Sequence, residues 1–371
     1  MNYFNLYSNI FLTKGANRVL ISDLQRNHSE SQSLELYEII NEFKANSIEE
    51  VLGFYDEESK ELAQEYLDFL LEREYGFISS GDWDKNFAPL SLEHKDYHKI
   101  SNLFMERNDL MISVNLVQSI ENLGISHLVI CCKCTPSLKD FLKLEADFEH
   151  SALESIEIFA PFNATIDEKF IKHLNQNTSR IYSLIFYNCE KLPFEAENNF
   201  NFDLLFTPQD LKISACGKVS IDYFDTNITK VLEAVNHNSC LHKKIGIDAQ
   251  GNIKNCPTMP QTFGNINQTT LEEAISHQDF KKYWNLTKDH IAVCKDCEFR
   301  YMCIDNRIPI ERIDGSFYNS LECSYNPYIS KWVGDLDYYT LIGTGVYSNE
   351  KGFSKDVNKI AQINEQIWRD S

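Results

Sequence analysis

The run Cys294-Lys-Asp-Cys297-Glu-Phe-Arg-Tyr-Met-Cys303, with Cys323 further along, decides how this 371-residue chain is read. Cys240 and Cys256 lead into it, so six of the eleven cysteines fall between residues 240 and 323. Thiolates are ligands for soft metals and iron–sulfur clusters, which need several sulfurs brought to one point. A tight turn between Cys294 and Cys297 can aim two sulfurs at one metal. Cys303 follows after five residues, and Cys323 arrives from a loop. Four thiolates suit either tetrahedral zinc or a [4Fe–4S] cluster, and the spacing alone does not choose between them.

Composition narrows the classes. The formal net charge of −20 argues against a general nucleic-acid binder, which would show a basic face, and against docking on anionic lipid. The opening Met1-Asn-Tyr-Phe-Asn-Leu-Tyr7 lacks a basic segment followed by an apolar run. No stretch approaches the ~20 apolar residues of a membrane span. Eleven cysteines without an export signal therefore read as metal ligands or buried thiols in a reducing cytoplasm, not as a disulfide framework.

Working outward, the order of apolar runs predicts an α/β fold. In residues 1–85, Tyr3–Tyr7, Asn9–Thr13 and Val19–Ser22 are strand candidates, with Lys14-Gly-Ala-Asn17 as a turn, so that Tyr3–Ser22 reads as a hairpin. Ser33–Lys44 and Glu58–Tyr75 have helical spacing, Gly76 reads as a helix stop, and Phe77-Ile78 as a last short strand. Residues from about 98 to 235 then alternate. Ile100–Glu106, Ile125–Cys132, Ser155–Ala160 and Arg180–Tyr187 are strands; Leu110–Leu123, Ser137–Phe148 and Asp167–Leu174 are helices. Apolar runs separated by helices imply parallel strands with crossovers. Asp203–Thr207 and Ser220–Phe224 are further strand candidates, and Lys355–Trp368 in the 333–371 tail is a helix candidate.

The cysteine run with its flanking text resembles a known family. Cys240-x15-Cys256, Cys294-x2-Cys297-x5-Cys303 and Cys323, with Gly251-Asn-Ile-Lys-Asn-Cys256, are similar to the SPASM domain, the auxiliary-cluster domain of radical S-adenosylmethionine peptide-modifying enzymes. Cys240-Leu-His-Lys-Lys-Ile-Gly-Ile-Asp, Gly264-Asn-Ile and Cys297-Glu-Phe-Arg-Tyr-Met-Cys303 resemble the grasp-with-spasm maturases, and the likeness covers about residues 236–332. It implies a SPASM-like iron–sulfur domain at 236–332, a partial radical-enzyme-like (β/α) barrel at 86–235 and a winged-helix-like peptide-recognition unit at 1–85. It also implies a ribosomal precursor peptide and an ATP-grasp ligase as partners. By the same resemblance Cys294, Cys297, Cys303 and Cys323 would hold one complete cluster. Cys240 and Cys256 would belong to a second site whose further cysteine is missing, because Ile304-Asp-Asn-Arg307 fills its place. Cys216 is the first suspect for a third ligand there; an empty pair is the other outcome.

The radical chemistry itself lacks its ligands. The family holds its reactive cluster on a CxxxCxxC loop after the first barrel strand, and Met105-Glu-Arg-Asn-Asp-Leu110 contains no cysteine. His127-x3-Cys131-x2-Cys134 has matching spacing with histidine in first place, but most of it reads as strand. The expectation is thus an accessory maturation protein with a [4Fe–4S] cluster and no assignable catalytic residue. The alternatives are an active radical enzyme with an unusual site at His127, Cys131 and Cys134, and a zinc-stabilised peptide-binding protein. Cys189 reads as a core thiol, the histidines at 237, 242, 277 and 290 as packing or surface groups, and Asp248, Asp296 and Asp305 as turn or capping residues. Gly343-Thr-Gly345 lacks the Lys-Ser/Thr of a phosphate loop.

Overall fold

The computed structural model of the chain describes residues 1–86, 88–194, 200–211, 219–305 and 307–369. It divides into two compact units, each assembled from separated stretches. The first comprises Met1–His94, Val219–Ser239 and Leu286–Ser371; the second comprises Lys95–Lys218 and Cys240–Asn285.

The first unit opens with β1 (Tyr3–Leu6), β2 (Ile10–Lys14), β3 (Val19–Asp23) and β4 (His28–Gln32), then α1 (Leu34–Ala45), α2 (Ile48–Gly53), α3 (Glu57–Glu72) and β5 (Gly76–Ser79). Ser33, Ser47 and Asp56 cap the three helices, and Ser47 forms a reciprocal capping box with Glu50. Leu36, Ile39, Ile40 and Phe43 make one buried stripe on α1 at helical spacing. That stripe packs with Phe4, Val51, Ala63, Leu67 and Leu70 into a core of its own. The pairing differs from the expected Tyr3–Ser22 hairpin. β1 runs antiparallel to β5, held at its end by Tyr7 N–H donating to the Tyr75 carbonyl at 2.9 Å, and the hairpin is β2–β3 with β4 added. β3 is therefore the central strand, fully buried. The helix stop is displaced as well. Glu74 takes the left-handed φ of 56°, while Gly76 lies in β5 opposite Leu6.

The second unit begins with β6 (Asn102–Arg107), α4 (Val114–Leu123), β7 (His127–Cys132), α5 (Leu138–Asp147), β8 (Ser155–Pro161), α6 (Glu168–Asn177), β9 (Ile181–Tyr187) and β10 (Asp203–Phe206). After α7 (Ile228–Asn236), which belongs to the first unit, it resumes with β11 (Lys244–Ile247), β12 (Ile253–Lys254) and α8 (Leu271–Ser276). The strands form one seven-stranded sheet in the order β10-β9-β8-β7-β6-β11-β12, parallel except for the β11–β12 hairpin. The expected alternation of parallel strand and helix is present. Leu128, Ile130, Ile156, Ile158 and Leu184 on one face of the sheet share a core with Ile120 of α4, Phe141 and Leu144 of α5, and Ile171 and Leu174 of α6. The Ser220–Phe224 segment is not a strand. It is a 3₁₀ turn at Ile221–Tyr223, because the Ser220 hydroxyl accepts from Asp222 N–H and closes the backbone locally.

The last stretch builds three two-stranded ribbons, β13 (Pro309–Glu311) with β14 (Phe317–Asn319), β15 (Tyr325–Asn326) with β16 (Lys331–Trp332), and β17 (Val346–Asn349) with β18 (Gly352–Lys355), followed by α9 (Val357–Trp368). Ribbons this short do not stand alone in water. Arg312, 6% exposed, fastens two of them. Its Nε donates to the Asn349 carbonyl at 2.6 Å, Nη1 to Phe317 O and Ser316 Oγ, and Nη2 to Gly352 O and Ser348 Oγ. Phe299, Met302 and Tyr325 form a small core with Leu20 of β3, against which Cys297, Cys323 and Trp332 pack.

Candidate metal centre

Two consecutive turns shape the cysteine run. Val293, at φ 71° and ψ −52°, reverses the chain into a 3₁₀ turn over Cys294–Asp296, closed by Cys297 N–H on the Cys294 carbonyl at 3.0 Å. The Val293 conformation is a rare, strained one for a β-branched residue. A second turn brings Cys303 N–H onto the Phe299 carbonyl at 2.9 Å. Cys323 comes from the segment between β14 and β15. All four cysteines line one cavity of about 230 Å³, with Phe224, Phe299 and Trp332 among its apolar walls. No three of the four sulfurs lie within 4.8 Å of one another.

The surroundings are dry. Burial pushes the Cys294 thiol up to about 11 and the Cys303 thiol up to about 12, and it also raises Cys297 well above its ordinary range. Thiols so desolvated stay neutral until a cation replaces their protons, so metal uptake must release protons. The polar residues at the wall include Lys288, Arg300, Arg307, Asn319 and Glu322. Asn319 Nδ2 donates to Cys294 Sγ at 3.5 Å, Lys288 Nζ to the Cys303 carbonyl at 2.9 Å, and Arg307 Nη1 to the Leu321 carbonyl at 2.8 Å. Asp305 clamps the Arg307 guanidinium at 2.6 Å and also accepts Arg307 N–H at 3.0 Å, so the expected turn residue is an ion-pair partner as well. A soft four-thiol set in a dry cavity fits an iron–sulfur cluster or zinc by donor chemistry.

The other pair, Cys240 and Cys256, lies in the second unit. Gly251, at φ 83°, makes the turn between β11 and β12, and its N–H donates to the Asp248 carbonyl at 2.8 Å. Asn255 then grips the Leu241 and Lys244 carbonyls at 2.8 and 2.7 Å. Gly246 admits this packing, because a Cβ there would run into Pro257 and the Cys256 carbonyl carbon. The Cys240 thiol comes within hydrogen-bonding reach of Cys256. That contact, with help from Thr258 at 3.2 Å, pulls the Cys256 thiol down to about 6. Cys216 and Asn306 lie outside the described residues.

The loop after β6 is stitched by side chains other than thiols. Arg107 Nη2 donates to the Met111 carbonyl at 2.8 Å, and Asp109 accepts from Met111 N–H at 3.0 Å. His127 opens β7 and Cys131 stands near its end. They share a face, because they stand four positions apart, but at about 3.3 Å per residue they are roughly 13 Å apart along the strand. Distance along the strand parts them. His127 Nδ1 bonds Ser155 Oγ at 2.6 Å, Cys132 is buried, and Cys134 is exposed. Cys189 is buried in keeping with a core thiol. His277 packs on Phe263, His242 on Trp284 and His237 on His94, and His290 bonds Thr287. Asp248 closes its own turn with Gln250 and Asn252 N–H, while Asp296 takes the Tyr328 hydroxyl at 2.6 Å. Sequence reasoning missed Asn319, Lys288 and the charge of Arg307. The only signal for the last was its place in the gap where a cysteine was sought.

Comparison with known proteins gives one family-model match: residues 240–298 match the SPASM iron–sulfur cluster-binding domain. No curated protein matches the chain. Among solved structures, the likenesses include SuiB of Streptococcus suis bound to precursor peptide SuiA, at 9% identity over 82% of this chain and 95% of that one, with a TM-score of 0.32. The same protein bound to S-adenosylmethionine follows at 8% identity, 81% and 94% coverage and a TM-score of 0.30. Native anSMEcpe with bound AdoMet covers 54% of this chain and 87% of its own at 13% identity and a TM-score of 0.30.

Proposed function

We propose, from the premise that residues 240–298 carry a SPASM iron–sulfur cluster-binding domain, that the chain is a maturation protein for a ribosomally made peptide. In this reading it holds one [4Fe–4S] cluster on Cys294, Cys297, Cys303 and Cys323 and works beside an ATP-grasp ligase in the cytoplasm. The observation that carries the cluster over zinc is the spread of the four sulfurs. Zinc–sulfur bonds of about 2.3 Å in a tetrahedron bring thiolates roughly 3.8 Å apart. Here four cysteines share a cavity, yet no three sulfurs lie within 4.8 Å of one another. A cubane, with four irons between its thiolates, needs the wider frame. Bound there, the cluster would supply electron transfer or a fixed structural anchor; the cysteines hold it, and the apolar wall keeps water from it.

Residues 1–85 serve as the peptide-recognition unit in this reading, with β2 and β4 as the edges of the β2–β3–β4 sheet to which an extended leader can add. Residues 86–235 form the radical-enzyme-like barrel, 236–332 the SPASM-like domain, and 333–371 the tail. Cys240 and Cys256 are the remnant of a second metal site. Among the described residues no helix is long and apolar enough to cross a membrane.

Anaerobically purified protein tests the reading. About four irons and four acid-labile sulfides per chain, lost together in Cys294→Ala, agree with it. One zinc and no sulfide establishes the zinc-stabilised binding protein instead. A precursor peptide that co-purifies with the full chain and its ligase supports the maturation role; failure of every precursor encoded beside it to bind removes that role.

A further inference from the structure

Among the described residues, three cations line the cavity of the four cysteines, and one of them, Arg300, has its Nη1 fixed on the carbonyls of Cys297 and Lys14. Lys288 and Arg307 are the other two, and neither is free to wander. Lys288 Nζ is fixed on the carbonyl of Cys303, itself one of the four. Arg307 Nη1 is fixed on the carbonyl of Leu321, two residues before Cys323, and its Nε and Nη2 grip Asp305. The Asp305 side chain is 4% exposed and that of Arg307 15%, so this ion pair sits where water screens little. Each positive charge is thereby held at a set place against a segment that carries a sulfur.

We propose that Lys288 and Arg307 set the electrostatic environment of the group held by Cys294, Cys297, Cys303 and Cys323, opposed by Asp305, and so fix its reduction potential. This rests on the cluster reading above. Four thiolates around a cubane leave a net negative charge that grows by one on reduction. A neighbouring cation favours the more negative form and raises the potential, and a neighbouring carboxylate lowers it. Asn319, donating to Cys294 Sγ, pushes in the same direction as the cations. The residues that occupy the gap left by a missing thiol thus take part in the site that remains. They are positioning residues, since they act on the group only through its electrostatics.

The experiment uses the full chain, loaded anaerobically, with iron and sulfide counted and the potential read by dye-mediated titration under electron paramagnetic resonance. Lys288→Met and Arg307→Gln should keep wild-type iron and sulfide, yet show the reduced form disfavoured by about tenfold, or about 59 mV for a one-electron couple. Asp305→Asn should shift the opposite way, and Arg307→Lys should stay near wild type. A purely structural role would not produce shifts of opposite sign. Iron-loaded Lys288→Met and Asp305→Asn proteins that both titrate at the wild-type potential overturn the inference. If Arg307→Gln loses its iron, those two variants decide the matter alone. Zinc without sulfide in the wild type removes the cluster reading and this inference with it, whereas unmoved potentials in loaded variants remove only the inference.

Discussion

Replacing Arg312 by methionine should destabilise the ribbons that wall the cysteine cavity. The side chain makes five hydrogen bonds, three of them to the carbonyls of Phe317, Asn349 and Gly352, and its guanidinium lies 4.6 Å from the Tyr318 ring centroid. Hydrogen bonds to a charged group contribute about 1.5–3 kcal/mol each, and a cation over an aromatic ring about 0.5–2 kcal/mol. A simple sum overshoots, because Asn349 is exposed and its carbonyl can be rehydrated. The Phe317 carbonyl also accepts Ala292 N–H at 2.8 Å, so it retains a partner. A net loss of about 3 kcal/mol remains, which is roughly a hundredfold in a local opening equilibrium. Hydrogen exchange of the amides in β17 and β18 measures it directly: protection should fall by about that factor in Arg312→Met and by less in Arg312→Lys. Protection within threefold of wild type would refute the claim that this arginine holds the ribbons together.

Cys297→Ala should remove iron and speed proteolysis across 294–323, since a closed metal site is also a folding constraint; full iron content in that variant would deny Cys297 a ligand role. Gly246→Val should push Pro257 and Cys256 off β11 at a cost of about 1–3 kcal/mol and make Cys256 react faster with a thiol reagent; an unchanged rate would count against the close packing. Backbone amides alternate in direction along an antiparallel strand, so one of Glu30→Pro and Ser31→Pro in β4 removes an outward donor and should weaken leader binding while the fold survives. Equal binding by both would place recognition elsewhere. Reconstituted protein should give no 5′-deoxyadenosine from S-adenosylmethionine above a no-protein control; turnover that vanishes in a Cys131→Ala, Cys134→Ala double variant would revive the radical-enzyme alternative.

The parts of the fold legible in the sequence are those where one apolar face is buried. α4, α5 and α6 and the strands between them announce themselves through Leu116 and Ile120, Phe141 and Leu144, and Ile171 and Leu174, all of which meet one core. β4 escapes notice because His28-Ser-Glu-Ser-Gln32 has no apolar residue and sits at a sheet edge, held by its backbone ladder and by polar bonds such as Ser29 to Ser22 and Tyr75 to Glu30. The ribbons from β13 to β18 are two to four residues long, too short for any period to show, and their support comes from Arg312, which carries no local signal. The turn at Lys14–Asn17 reveals the β2–β3 pairing, whereas the partner of β1 lies some seventy residues away and carries no local signal. At the site the cysteines were evident from spacing. Lys288, Asn319 and the Arg307–Asp305 pair were not, since a lone basic or amide residue looks the same on a surface as at a metal.

The sheet of the second unit has an order of manufacture built into it. β6 takes β11 as its parallel neighbour, with Lys244 opposite Asn102, so 142 residues must be made before that edge is covered. At about 5–20 residues per second on the ribosome, β6 waits roughly 7–28 s with its outer hydrogen-bonding groups unpaired. The first unit has the same character, since its opening 94 residues are completed only by a stretch beginning at Leu286. Neither unit can be cut from the gene as a continuous cassette, and a chain stopped before residue 244 keeps a bare strand edge. Grafting the cysteine segment alone onto another protein would therefore carry over the ligands and leave behind much of what positions them.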